Sequence, residues 1–174
     1  MDNVNAAKIL IKSLDLTSLS HDDTPQTITD LCHRAATKYG NTAAVCIYPE
    51  YIPVAVAEAP KGVKIATVVN FPEGGNNIKA VEKEISKAIK LGADEIDAVL
   101  PYRELLAGNA ALCGEFLTMC RNTAADKTLK IIIESGELKK LLNSVLMPRL
   151  ILLRHLPEKP KYRQLRRRLM LFWR

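Results

Sequence analysis

Four short apolar runs, each halted by Gly or Pro and separated by helical patterns, are the strongest constraint on how this chain folds. Ala43–Tyr48 (AAVCIY) lies between Gly40-Asn41 and Pro49, and Val63–Phe71 (VKIATVVNF) stops at Pro72-Glu73-Gly74-Gly75. Glu95–Leu100 (EIDAVL) ends at Pro101, and Leu129–Ser135 (LKIIIES) ends at Gly136. Runs of this length, rich in β-branched residues and apolar at successive positions, read as strands covered on both faces, as a parallel sheet requires. Ser13–Leu19 is a candidate fifth strand whose pattern is ambiguous.

The intervening segments carry helical spacing. Thr27–Tyr39 follows the cap candidates Thr24-Pro25 and stops before Gly40. Asn77–Leu91 places Ile78, Val81, Ile85 and Ile89 near a 3.6 period and ends at Gly92. Ala110–Asp126 sets Leu112, Phe116, Met119 and Cys120 on one side. Strands alternating with helices mean βαβ units joined by right-handed crossovers, hence an α/β fold, either a barrel or an open sheet.

Several chemistries are disfavoured. Cys32, Cys46, Cys113 and Cys120 form no Cys-x-x-Cys pair and have no His at ligand spacing, so no metal site is expected and the thiols fit a reducing compartment. His21, His33 and His155 are scattered. Met1-Asp2-Asn3 places an acid where a signal peptide carries positive charge, and no apolar run reaches membrane-spanning length. The expectation is a cytoplasmic protein with neither a membrane nor a specific nucleic acid as partner. Pro72–Asn76 is glycine-rich but lacks the residues of a P-loop, and reads as a loop leading into the next helix.

In α/β barrels the chemistry sits at the C-terminal ends of the strands, which makes Asp15, Cys46, Asn70, Asp97 and Glu134 the candidates. Asp97 stands out, because a carboxylate inside an apolar strand needs a cationic or hydrogen-bonding partner. The pattern alone allows two roles for it: a proton relay tuned by its surroundings, or a structural ion pair between strands.

Several stretches, in order, closely resemble the deoxyribose-phosphate aldolase family. They are Leu14–Thr17 (LDLT), Gly40–Pro49 (GNTAAVCIYP), Ile65–Pro72 (IATVVNFP), Gly92–Asp97 (GADEID), Pro101–Arg103 (PYR), Ala107–Asn109 (AGN) and Ile131–Leu138 (IIIESGEL). The resemblance covers about residues 7–138 and is nearest to the long, enteric-type bacterial group. It implies a (β/α)8 TIM barrel and a cofactor-free class I aldolase. Such enzymes cleave 2-deoxyribose 5-phosphate to acetaldehyde and glyceraldehyde 3-phosphate through a lysine Schiff base. It also implies that Asp97 is the relay aspartate, that Asp15 and Cys46 line the same cavity, that the partner is a small sugar phosphate, and that the folded protein pairs as a homodimer.

The family carries its Schiff-base lysine in a sixth-strand segment ADFIKTSTGK and a second lysine in FKPAGG, and neither occurs here. Lys130 is not expected to substitute, since it enters its strand from the N-terminal end, away from the catalytic face. The charge pattern changes where the resemblance stops. Residues 1–138 hold fourteen Lys/Arg against eighteen Asp/Glu, whereas residues 139–174 hold eleven against Glu158 alone. Permitted codons for Arg149–Lys161, read one base out of frame, spell ADFIKTSTGK.

The expectation is therefore an aldolase barrel truncated to about its first five strands (residues 1–138). A frameshifted, non-native basic tail that is not a domain follows it (residues 139–174). A barrel with five of eight strands would leave strands one and five as open edges, and the product is expected to be poorly soluble and inactive. The alternative reading makes the tail a binding module for nucleic acid or an anionic membrane.

Overall fold

Each strand of this fold starts or stops where the chain cannot continue a sheet. A computed structural model describes residues 2–137 and 170–173. Helix α1 (Asn3–Lys12) is capped by the Asp2 side chain and leads into β1 (Asp15–Thr17). The Thr24 and Thr27 side chains form a reciprocal capping box at the start of α2 (Pro25–Arg34), with Pro25 in the first turn. Then come β2 (Ala36–Thr37), β3 (Gly40–Asn41), β4 (Ala44–Ile47), a 3-10 turn at Pro49–Tyr51, and α3 (Ile52–Glu58). Beyond these lie β5 (Lys64–Val69), α4 (Ile78–Leu91), β6 (Glu95–Val99), α5 (Tyr102–Leu106), α6 (Ala110–Ala124) and β7 (Thr128–Ile132). Strand β8 (Met170–Trp173) completes the described residues.

The main sheet runs β1-β4-β5-β6-β7-β8, and its first five strands are all parallel. These are the five strands expected from the sequence, the ambiguous first one included. Alternate residues separate the two faces. Val45, Ile47, Ile65, Val69, Ile96, Ala98 and Leu129 join the core against the helices. Ala44, Cys46, Ala66, Val68, Val99 and Ile132 form a second apolar cluster on the opposite face. Phe116, on α6, is the bulkiest fully buried side chain of the helix-side core. This is a parallel α/β sheet of the TIM-barrel type.

Several elements depart from the sequence expectations. Helix α2 stops at Arg34 rather than Tyr39, because Ala36–Thr37 turn back and pair with Gly40–Asn41 in a small antiparallel hairpin. Helices α1, α3 and α5 were not foreseen. The open edge expected at the fifth strand is occupied: β8 pairs antiparallel with β7, Leu129 opposite Trp173 and Ile132 opposite Met170. An edge strand offers a row of unsatisfied N–H and C=O groups, and an extended segment of the same chain satisfies them here. Leu138 and the rest of the basic tail, residues 139–169 and 174, lie outside the described residues, as do His155 and the expected site of the frame change.

Candidate active site

Asp97 is the third residue of β6, and the pleat directs it to the face away from the helices, where it is fully buried. Its register partner on β7 is Lys130, also fully buried. The Lys130 ammonium lies 2.6 Å from Asp15 Oδ2 on β1, 3.1 Å from Glu95 Oε2 and 3.1 Å from Asp97 Oδ1. Glu95 and Asp97 are two residues apart on one strand, so they share a face. Cys46 Sγ, on β4, donates to Asp97 Oδ2 at 3.8 Å. Four strands thus direct three carboxylates, one ammonium and one thiol to a common point.

The electrostatics follow from this geometry. Burial raises the Asp97 carboxyl to about 6 against the pull of Lys130, and the neighbouring Asp15 and Glu95 charges push the same way as burial. Burial alone would lower the Lys130 ammonium, but the carboxylates of Asp97, Asp15 and Glu95 outweigh it and hold the proton more firmly than on a free lysine. Burial and the Asp97 charge push the Cys46 thiol far up, so it stays protonated and acts as a donor. Asp97 Oδ1 has no donor in hydrogen-bonding geometry, although Nζ stands 3.1 Å away.

The structure brings Asp15, Cys46 and Asp97 to one point around Lys130, but not at the C-terminal rim. Asp15 opens β1, and Asp97 and Lys130 each sit mid-strand. Asn70 serves elsewhere: its side-chain amide donates to the Gly75 and Val99 carbonyls and its Oδ1 accepts from Gly75 N, clamping the loop after β5. Glu134 follows β7 with a left-handed φ of 45°. At the C-terminal ends of the strands, Tyr48 stacks on His21 (6.3 Å) and meets Phe71 edge-on (6.1 Å). Tyr48 and Phe71 pack with Leu19 and Tyr102 against the interior cluster.

The placement of Lys130 away from this chemistry is overturned. It lies opposite Asp97 in the strand register and is the hub of the cluster. The sequence carried the signal, since Lys130 interrupts an apolar strand just as Asp97 does, and each charge implies the other. Glu95 was missed for the same reason, as the i+2 neighbour of Asp97.

Comparison with known proteins places the arrangement. A sequence model described as DeoC/LacD family aldolase matches residues 9–150, past the change of charge at residue 138. A crystal structure of a putative deoxyribose-phosphate aldolase from Coccidioides immitis is similar, at 30% identity and a TM-score of 0.71, covering 75% of this chain and 51% of that one. One from Toxoplasma gondii ME49 gives 24% and 0.70, covering 77% and 52%. A tetrameric deoxyribose phosphate aldolase from Aeropyrum pernix gives 25% and 0.56, covering 75% and 54%. The chain spans about half the length of these solved structures.

Proposed function

The chain belongs to the DeoC/LacD aldolase family, and from that premise we propose that it carries the proton-relay part of a deoxyribose-phosphate aldolase site without the nucleophile. The substrate class is a 2-deoxy sugar phosphate, cleaved between C2 and C3 by way of a lysine imine at the aldehyde carbon. Asp97 is the relay. A carboxyl near 6 gives and takes protons readily at neutral pH, and its burial leaves a reacting group few competitors for that proton. Asp15 and Cys46 border the same space. The four cysteines are free and buried, and no helix among the described residues is long and apolar enough to cross a membrane. We assign the protein to the cytoplasm.

The observation that carries the reading is the state of Lys130. A Schiff-base lysine must present a neutral amine to its substrate. Lys130 is fully buried and held protonated by three carboxylates, which suits a charge balancer for Asp97 and disqualifies it as the nucleophile. The family's ADFIKTSTGK and FKPAGG segments do not occur in the sequence. The 174-residue chain is accordingly inactive by itself, and the tail beyond residue 138 is the product of a shifted frame.

Sequencing the gene across codons 136–175 and beyond tests the frame. Codons that fail to spell ADFIKTSTGK when shifted would dispose of that part. A cleavage assay on 2-deoxyribose 5-phosphate tests the chemistry. The chain as it stands is expected to give no turnover, and a frame-restored chain is expected to give turnover that Asp97→Asn lowers by 100-fold or more, on the order of a lost proton relay. Turnover by the unaltered chain would refute the missing-nucleophile reading.

A further inference from the structure

A fixed hairpin stands at the N-terminal end of the sheet, just before β4. Strands β2 and β3 form it. The Thr37 hydroxyl holds its turn, donating to Gly40 O at 2.6 Å and accepting from Tyr39 N at 3.1 Å. The tip therefore presents Lys38 and Tyr39 in a set orientation. Lys38 Nζ lies 4.9 Å from the centre of the Tyr39 ring, and Tyr39 is 39% exposed.

Lysines from two other segments gather around this hairpin. Helix α1 packs against β3, and Lys12 Cε comes within 4.0 Å of where a Gly40 side chain would begin. Lys8 lies one turn earlier, on the same side of α1. From the turn before β5, the Lys61 carbonyl accepts from the Asn41 side-chain amide at 3.3 Å. Lys8, Lys12, Lys38 and Lys61 are exposed, and among the described residues none of them forms an ion pair. The three segments that meet here, residues 3–14, 35–49 and 59–72, carry five lysines and no Asp or Glu, although residues 1–138 hold fourteen Lys/Arg against eighteen Asp/Glu. The stretch beyond residue 138 offers no counter-charge, with eleven Lys/Arg against Glu158 alone. Like charges gathered without acids repel one another, and an anion that spans them relieves that repulsion.

We propose that this hairpin face binds single-stranded nucleic acid without regard to sequence. Phosphates run along Lys8, Lys12, Lys38 and Lys61, and an unpaired base stacks on Tyr39. Ammonium groups are point charges suited to a phosphodiester chain, and an exposed aromatic beside them marks a single-strand platform rather than a surface that only attracts polyanions. A duplex keeps its bases inside and an anionic lipid surface has no ring to stack, so both would use the lysines alone. The face lies at the N-terminal ends of the strands, whereas Tyr48 and Phe71 follow the C-terminal ends of β4 and β5. The binding goes beyond the aldolase reading and does not depend on it.

The probe is a fluorescein-labelled oligothymidylate of about twenty nucleotides, long enough for one such platform, titrated with the full 174-residue chain by anisotropy. The matching duplex and phosphatidylserine vesicles are titrated beside it. Tyr39→Ala should weaken the single strand about 10-fold, on the order of one lost stack, and leave the duplex and vesicles unchanged. Tyr39→Phe, which keeps the ring, should bind as the unaltered chain does. Lys38→Glu together with Lys61→Glu should weaken the single strand on the order of 30-fold and flatten its dependence on salt; the hairpin's bond to Lys61 uses the backbone carbonyl and survives the change. Single-strand affinity indifferent to these substitutions would place the binding on the basic tail and overturn the proposal. Duplex or vesicle affinity that falls with Tyr39→Ala as the single strand's does would overturn it too, as would a loss with Tyr39→Phe.

Discussion

Lys130 on β7 donates a 2.6 Å hydrogen bond to Asp15 on β1, 115 positions earlier in the chain. The same ammonium stands 3.1 Å from Asp97 and from Glu95. One buried cation thus holds the first and fifth strands of the parallel sheet and balances the carboxyl assigned to proton transfer.

Lys130→Met should be severely destabilising. It keeps the volume but leaves three carboxylates converging without their cation. Breaking a buried ion pair from one side costs about 3–5 kcal/mol, a large share of the ~5–15 kcal/mol that holds a domain together. Urea unfolding and soluble yield measure the loss. Adding Asp97→Asn to Lys130→Met should recover part of it, and a double variant as unstable as the sum of the two would argue against coupling.

Stability should fall as pH rises from about 4 to about 6 through Asp97. Burial lifts its carboxyl from 3.8 to about 6, so within this window the folded chain holds a proton that the unfolded chain has released. Stability falls wherever the native state binds more protons as pH rises. Two units at ~1.4 kcal/mol each give on the order of 3 kcal/mol, with the cost fully present above about 6. Lys130 is raised: its stabilisation is complete below the ordinary lysine value and fades only as pH climbs through its folded value, outside this window. Urea midpoints between pH 4 and 7 should show a slope that Asp97→Asn removes; parallel curves for the two proteins would contradict the assignment.

Lys130 should resist reductive alkylation. Treating the folded chain with acetaldehyde and cyanoborohydride, followed by peptide mapping, should label exposed lysines such as Lys64, whose side chain is 58% accessible. The Lys130 peptide should remain unmodified. Stoichiometric labelling at Lys130 would make it a neutral, reachable amine and reverse its assignment as a charge balancer.

Four of the five strands were readable because each is apolar at successive positions and halts at Gly or Pro, whereas Asp15–Thr17, half-buried and polar at two of three positions, left only an ambiguous pattern. Asp97 was readable because charge in an apolar strand is conspicuous. The helix α3 was not, since Pro53 and a run of small residues obscure its period. The short hairpin β2–β3 rests on four residues, too few to leave a pattern. Lys130 was misplaced because the face of a strand residue depends on register against its neighbours, and register is a property of the assembled sheet.

Gly92→Ala tests the turn that feeds the site strand. Gly92 ends α4 at φ +111°, and an added Cβ would stand 2.7 Å from Val56 Cγ2. The left-handed conformation alone costs an L-residue about 1–2 kcal/mol, and the collision with α3 adds to it. A fall in melting temperature of several degrees is expected, and an unchanged midpoint would mean that the turn can relax.

Ending the chain at residue 169 removes β8 and uncovers the β7 edge. Since exposed strand edges recruit other edges, the shortened chain should self-associate at lower concentration in sedimentation experiments. Equal behaviour of the two chains would show that β8 does not shield the edge.

The separation of Lys130 from Asp15 also sets a timetable for synthesis. Contacts between distant residues form late, after the intervening loop has been closed. A nascent chain that has delivered β1, β4, β5 and β6 from the ribosome already contains every carboxylate of the cluster but not yet its cation. Until β7 clears the ribosome, Asp97 is buried without its cation only by taking up a proton, so commitment to the native sheet must await the one lysine that β7 carries into the cluster.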